Sequence, residues 1–90
     1  MKTNKEVAIA FLNNYPDDVY AGNLRYYAKS GKLFSYNTII AQRFDDGTII
    51  FNATKYSPTT SRHQSLLFKC GLCVYIKVTN IPMEASNLTT

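Results

Sequence analysis

Apolar positions recur at helical spacing in two stretches of this chain and alternate with polar positions in most of the rest. Val7, Ala8, Phe11 and Leu12 fall on one helical face, widened by Ile9 and Ala10. Thr3-Asn4-Lys5-Glu6 ahead of them fits a capping box, in which the Thr3 hydroxyl serves the Glu6 N–H and the Glu6 carboxylate reaches back to Thr3. Asn13-Asn14 followed by Tyr15-Pro16 ends that helix, because the residue before a proline is pushed out of the α region. The second helical stretch follows Tyr56. Ser57 is placed to cap it, Pro58 fits its first position, Arg62 to Lys69 form its body, and Gly71 stops it.

Between the helices the period changes to two. Pro16-Asp17-Asp18 and Ala21-Gly22-Asn23 bracket a loop, read here with a short helical turn around Val19 and Tyr20. Leu24 to Ala28 and Lys32 to Tyr36 predict a hairpin closed by the three residues Lys29-Ser30-Gly31. That pairing puts Leu24, Tyr26, Phe34 and Tyr36 on the core face and Arg25, Tyr27, Leu33 and Ser35 on the other. Thr38 to Phe44 and Thr48 to Ala53 repeat the logic around Asp45-Asp46-Gly47, with Ala41 opposite Phe51 and Arg43 beside Ile49. The reverse face of this second hairpin carries Thr38, Ile40, Gln42, Ile50, Asn52 and Thr54. Its mixed character makes it a candidate contact surface.

After the second helix, Leu72 to Thr79 alternates as a fifth strand, with Val74, Ile76 and Val78 inward. The expected architecture is α+β: helix, four strands, helix, strand, in an antiparallel five-stranded sheet with both helices on one face. Residues 1–80 make one domain, and 81–90, which lack periodicity, read as a flexible tail.

Composition adds a strand bias and a charge. Seven tyrosines and five phenylalanines with no tryptophan suit the pleated surface of a sheet. The net charge of +4 favours acidic partners without naming one, and four of the six acids sit in the pairs Asp17-Asp18 and Asp45-Asp46. No apolar run approaches the roughly 18 residues of a membrane span, and charged residues interrupt the first fourteen positions; the expectation is a cytoplasmic protein without a membrane partner.

The chemistry-bearing residues gather before and inside the second helix. Lys55, Tyr56, Thr59, Thr60, Ser61, Arg62 and Gln64, with Arg43 from the second hairpin, form the candidate binding set. Free N–H groups at a helix start, several hydroxyls and an arginine one turn in make an anion seat; the same residues also make a well-capped helix fastened to the preceding strand. His63 is the one histidine. With no nucleophile elbow and no carboxylate nearby, it reads as a core residue whose ring nitrogens bond backbone or a tyrosine hydroxyl, and no catalytic set is assigned. Cys70-Gly71-Leu72-Cys73 has the spacing of a redox or zinc half-site, yet it closes a helix instead of opening one, and two cysteines with one histidine leave a structural zinc short of ligands. Neither a metal nor a cofactor is expected.

Asn52-x-x-Lys55-Tyr56-Ser57-x-Thr59-Thr60-Ser61-x-His63-Gln64, preceded by Asp46-Gly47, resembles a family of small uncharacterised proteins of phages and mobile elements; Tyr36 fits the same pattern. By analogy the resemblance implies a protein that binds a host factor in the bacterial cytoplasm, as inhibitors of bacterial defence such as anti-CRISPR proteins do. Two classes follow: a non-catalytic module binding a host protein or ribonucleoprotein, as monomer or homodimer, and a basic accessory protein binding nucleic acid.

Overall fold

The computed structural model describes residues 2–88. Among them the elements run α1 (Asn4–Leu12), β1 (Val19–Ala21), β2 (Leu24–Tyr27), β3 (Lys32–Ser35), β4 (Thr38–Arg43), β5 (Ile49–Asn52), α2 (Pro58–Lys69) and β6 (Ile76–Val78). The class is α+β, as the alternation implies, but the sheet has six strands in the order β1-β2-β3-β4-β5-β6 and is mixed. β1 to β5 form an antiparallel meander, whereas β6 pairs parallel with β5 after the α2 crossover. A helix between two neighbouring strands reverses the chain once more than a tight turn would, and this makes the pair parallel.

Both helices begin and end where local chemistry places them. The Thr3–Glu6 capping box is formed, and Ser57 Oγ accepts from the Thr60 N–H at the start of α2. Each helix closes with a pair of reversed hydrogen bonds: the Asn14 and Tyr15 N–H groups donate to Phe11 and Ala10, and those of Gly71 and Leu72 donate to Phe68 and Leu67. The left-handed residue that such a closure needs is Asn14 (φ 52°) in one case and Gly71 (φ 119°) in the other. Val7, Ala8 and Phe11 of α1 and Leu67 of α2 pack on Leu24, Tyr26, Leu33, Ile40, Ala41 and Phe51, so the main core lies between the helices and the inner face of the sheet.

Four expectations about strands and their register are corrected first. Val19 and Tyr20 belong to an edge strand, not a helical turn; Val19 and Ala21 are buried against the core while Tyr20 points out. The first hairpin pairs Leu24 with Ser35 and Tyr26 with Leu33, so its loop is Ala28 to Gly31 and the register is one residue from the expected one. A single-residue slip exchanges the faces of a strand, and Leu33 and Ser35 are accordingly inside, with Phe34 outside. The loop length is set by a neighbour distant in sequence: the Arg43 N–H donates to the Gly31 carbonyl at 2.7 Å, and a Cβ on Gly31 (φ 66°) would collide with the Arg43 carbonyl oxygen.

A bulge makes the third correction. Leu33 pairs with Ala41 and Phe34 with Ile39, which leaves Ile40 without a partner. Ile40 and Ala41 therefore both enter the main core, and Ile39 turns to the opposite face. Lastly, only Ile76–Val78 of the expected 72–79 strand is paired, and Val74 and Ile76 are exposed instead of inward, because β6 is an edge strand.

The outer face of the sheet, without helices, is unevenly covered. Residues 79–88 fold back over β4, β5 and β6, where Leu88, Ile39 and Ile50 form a second, smaller core edged by Phe34, Phe44, Val78, Ile81 and Ala85. The Leu88 N–H donates to Gln42 Oε1 at 2.9 Å. The mixed face read as a contact surface is thus closed by the chain itself, and the segment read as a tail holds a fully buried leucine. Thr89 and Thr90 of that segment lie outside the described residues.

Candidate functional site

The polar stretch from Asn52 to Gln64 is folded into two hydrogen-bonded groups, one on each side of the chain that links β5 to α2. On the side of residues 79–88, Asn52 Nδ2 donates to the Ile39 carbonyl at 2.8 Å and to the Tyr56 hydroxyl at 2.9 Å, and Tyr56 donates to the Ile81 carbonyl at 2.5 Å. Thr54 Oγ1 accepts from the Ile81 N–H at 3.0 Å, and Asn52 Oδ1 accepts from the Thr54 N–H. These bonds bring the segment after β6 onto the sheet. They are the reason Leu88 arrives over Ile39 and Ile50.

Toward the main core, α2 is tied to the sheet by Gln64, His63 and Thr60. Gln64 Nε2 donates to the Asn52 carbonyl at 2.6 Å and the Thr54 carbonyl at 3.0 Å, serving backbone acceptors at and just beyond the end of β5. His63 Nδ1 lies 2.6 Å from Ser35 Oγ, and Ser35 Oγ donates to Thr60 Oγ1 at 3.3 Å. Asn4 Nδ2, a donor, stands 3.4 Å from His63 Nε2. One assignment satisfies all of them: His63 carries its proton on Nδ1 and donates to Ser35, while Nε2 accepts from Asn4. Burial pushes the His63 pKa below its ordinary value of 6.5, and no charged group opposes that shift.

A serine beside a histidine invites a nucleophilic reading, and the geometry argues against it. Ser35 is 0% exposed and already donates to Thr60, so no substrate carbonyl can reach its oxygen. Among the described residues no carboxylate orients the imidazole. The pair fastens α2 to β3, and sequence reading missed it because the hairpin slip had placed Ser35 on the outer face.

Of the candidate binding set, four members are structural. Thr60 and Gln64 are buried in the bonds above, Tyr56 is half-buried, and Arg43 donates from Nη2 to the Phe11 and Leu12 carbonyls at 2.7 and 2.9 Å. Its guanidinium also lies 5.6 Å from the Phe11 ring centroid. Arg43 therefore completes the C-terminus of α1, where a cation is favoured by the helix dipole. Lys55 and Arg62 are exposed, and Thr59 and Ser61 are half-buried. Thr59 lines a shallow groove with Lys2, Asn4, Asn23 and the edge of His63. Cys70 is the half-buried C-cap of α2 and Cys73 is exposed; both are free thiols. Among the described residues no three His, Cys, Asp or Glu side chains gather around one point.

Recognition groups outside the candidate binding set stand at the β6 edge. Phe51, Phe68 and Tyr75 form a triangle of edge-to-face rings with centroids 4.8 to 5.8 Å apart. Phe68 and Tyr75 are more than a third exposed on the helix side; Val74 (80%), ahead of β6, is exposed, and so is Ile76 (43%), which registers with Ile50 on the opposite face of the sheet. Lys69 and Lys77, both exposed, flank this edge. β6 ends the sheet, so the backbone N–H and C=O groups on its far side have no strand partner among the described residues.

A two-helix α+β domain with a polar motif that ties its strands to its helix is thus the class defined by the fold. The profile of a family of unknown function, DUF8033, matches residues 6–71, and the chain belongs to that family. The match runs from the first turn of α1 to the glycine that ends α2; β6 and the covering segment lie beyond it. No match was found among curated proteins or among solved structures. No helix among the described residues is long and apolar enough to cross a membrane.

Proposed function

We propose that this protein is a non-catalytic binding module that adds an extended segment of a partner protein to the β6 edge. The observation that carries the reading is an unpaired strand edge with exposed apolar side chains on both of its faces, Phe68 and Tyr75 on the helix side and Ile76 on the other, with Val74 ahead of the strand. Main-chain hydrogen bonds along such an edge supply affinity, and side-chain contacts on alternate positions supply selectivity. Lys69 and Lys77 favour a partner segment with acidic flanks and oppose self-pairing, which would bring like charges together. In the phage setting implied by the polar motif, the partner is a host protein or ribonucleoprotein, and the module acts as an inhibitor of a host complex in the cytoplasm.

The test is capture from a bacterial host lysate with the wild-type protein and with Val74→Asp/Ile76→Asp. Val74 and Ile76 are 80% and 43% exposed, and circular dichroism confirms that the variant is folded. A partner retained by the wild type and lost by the variant supports the edge. Equal recovery by both proteins, or no specific partner at all, refutes it.

A further inference from the structure

The half of the outer face that residues 79–88 leave open carries a second surface with different chemistry. Tyr20 on β1, Tyr27 on β2 and Phe34 on β3 form a diagonal of rings across three strands, with both steps 5.6 Å between centroids; Phe34, at the edge of the covered core, ends the diagonal, and Tyr20 and Tyr27 are the rings of the open half. Arg25 pairs with Phe34 and with Tyr20, and Lys32 with Tyr27, so cations and rings alternate over the same face. Two shallow depressions of about 370 and 340 Å³ share Arg25 and Tyr27 in their linings. Among the described residues the one ion pair is Lys2–Glu6, which leaves Arg25 and Lys32 without a carboxylate partner. Asp18, the acid beside Tyr20, is engaged by the Tyr20 hydroxyl and the Ala28 N–H.

We propose that this open half-face binds single-stranded nucleic acid, with unpaired bases against Tyr20 and Tyr27 and backbone phosphates on Arg25 and Lys32. Aromatic faces accept any base, but only one freed from a duplex, and interleaved cations hold the phosphates between stacked bases. A duplex has no exposed base face to offer, and an acidic peptide would use the cations while leaving the rings without a flat partner. The inference is independent of the β6 reading: the two surfaces share no residue, and Val74→Asp/Ile76→Asp leaves this one intact.

The experiment is fluorescence anisotropy with a labelled oligothymidylate, its RNA counterpart and the matched duplex, each at several salt concentrations. Wild type is expected to bind the single strands more tightly than the duplex, with log affinity falling against log salt at a slope of about −1.4, for two phosphate contacts. The tighter of the DNA and RNA strands identifies the natural ligand class. Tyr20→Ala should weaken binding by about 5- to 150-fold, the value of one stacked base. Arg25→Gln/Lys32→Gln should remove most of the salt slope, whereas the charge-matched control Lys55→Gln/Arg62→Gln should leave it in place. Circular dichroism confirms that each variant is folded. Four results would overturn the proposal: no binding by folded wild type at low salt, equal affinity for duplex, equal loss in the charge-matched control, or capture of a protein in place of nucleic acid through Tyr20 and Arg25.

Discussion

The two halves of the outer sheet face begin from the same kind of alternating sequence and end with opposite fates. Over β4 to β6 the outward residues Ile39, Gln42 and Ile50 are buried by Leu88 and its neighbours. Over β1 to β3 the outward residues Tyr20 and Arg25 are exposed, and Tyr27 and Lys32 only half-buried. Strand alternation alone does not distinguish them. What differs is whether another segment of chain is directed across, and the bonds of Ile81 to Thr54 and to Tyr56, whose hydroxyl is itself held by Asn52, direct it to one half only. In the covered half the outward side chains stabilise the fold, and in the open half they are free to meet a ligand.

The strongest way to break this comparison is to remove the cover. Leu88→Ala deletes the one fully buried side chain that residues 79–88 place over Ile39 and Ile50. It should cost about 2–4 kcal/mol, in the range for a buried leucine truncated within a core that relaxes only partly. Chemical denaturation checks the magnitude. Amide exchange should rise at Ile81 and Leu88, whose N–H groups are held by Thr54 and Gln42, and not in the β1–β2 pair. A loss below 0.5 kcal/mol would mean that the covered half needs no cover, and the contrast between the halves would fall with it.

The difference between the halves also shows what could be read from the sequence alone. Both helix starts, the Gly71 stop and the register of the Asp45-Asp46-Gly47 hairpin are set by neighbours a few residues away, and each was legible. The first hairpin was not, because Gly31 suits a three- or a four-residue loop equally, and the choice is made by the Arg43 backbone across the sheet. From that slip followed the misplacing of Ser35, and with it the loss of the His63 contact. In the candidate set, residue type was a poor guide to exposure. Gln64 and Thr60 look like surface groups in the sequence, yet their partners, the Asn52 carbonyl and Ser35, lie 12 and 25 residues away and draw them inside. Leu88 stood alone among polar residues with no period to announce it, and only the Tyr56 and Thr54 bonds to Ile81 explain why it is buried.

A second prediction separates the fastening on the helix side from both halves of the outer face. In the unfolded chain His63 takes its proton near 6.5, and in the folded chain burial withholds that proton until a lower pH. Between the two values the unfolded state binds more protons, so stability falls as pH drops through 6.5 and stops falling from this cause once the folded imidazole is also charged. Thermal unfolding from about pH 7.5 down to 5.5, above the range where carboxylates titrate, should show the decline. His63→Asn keeps a donor near Ser35 and should flatten the profile. A wild-type curve that rises on acidification would reverse the assignment of the ring as a neutral, buried donor.

The smallest effect on stability sharpens the comparison most. Tyr20 is 49% exposed on an edge strand, its ring touches Tyr27 and its hydroxyl reaches only Asp18. Removing the ring forfeits one partly solvated aromatic contact, and Tyr20→Ala should shift stability by no more than about 0.5 to 1 kcal/mol, against several times that for Leu88→Ala. Arg25→Ala, exposed and without an ion-pair partner, should lie closer still to zero. Measured by the same denaturant titration, the two sets report on the same sheet from opposite halves. If the open-half substitutions destabilise as strongly as the loss of Leu88, the rings of β1 to β3 are part of the core, and a surface needed to hold the fold together is not at liberty to bind.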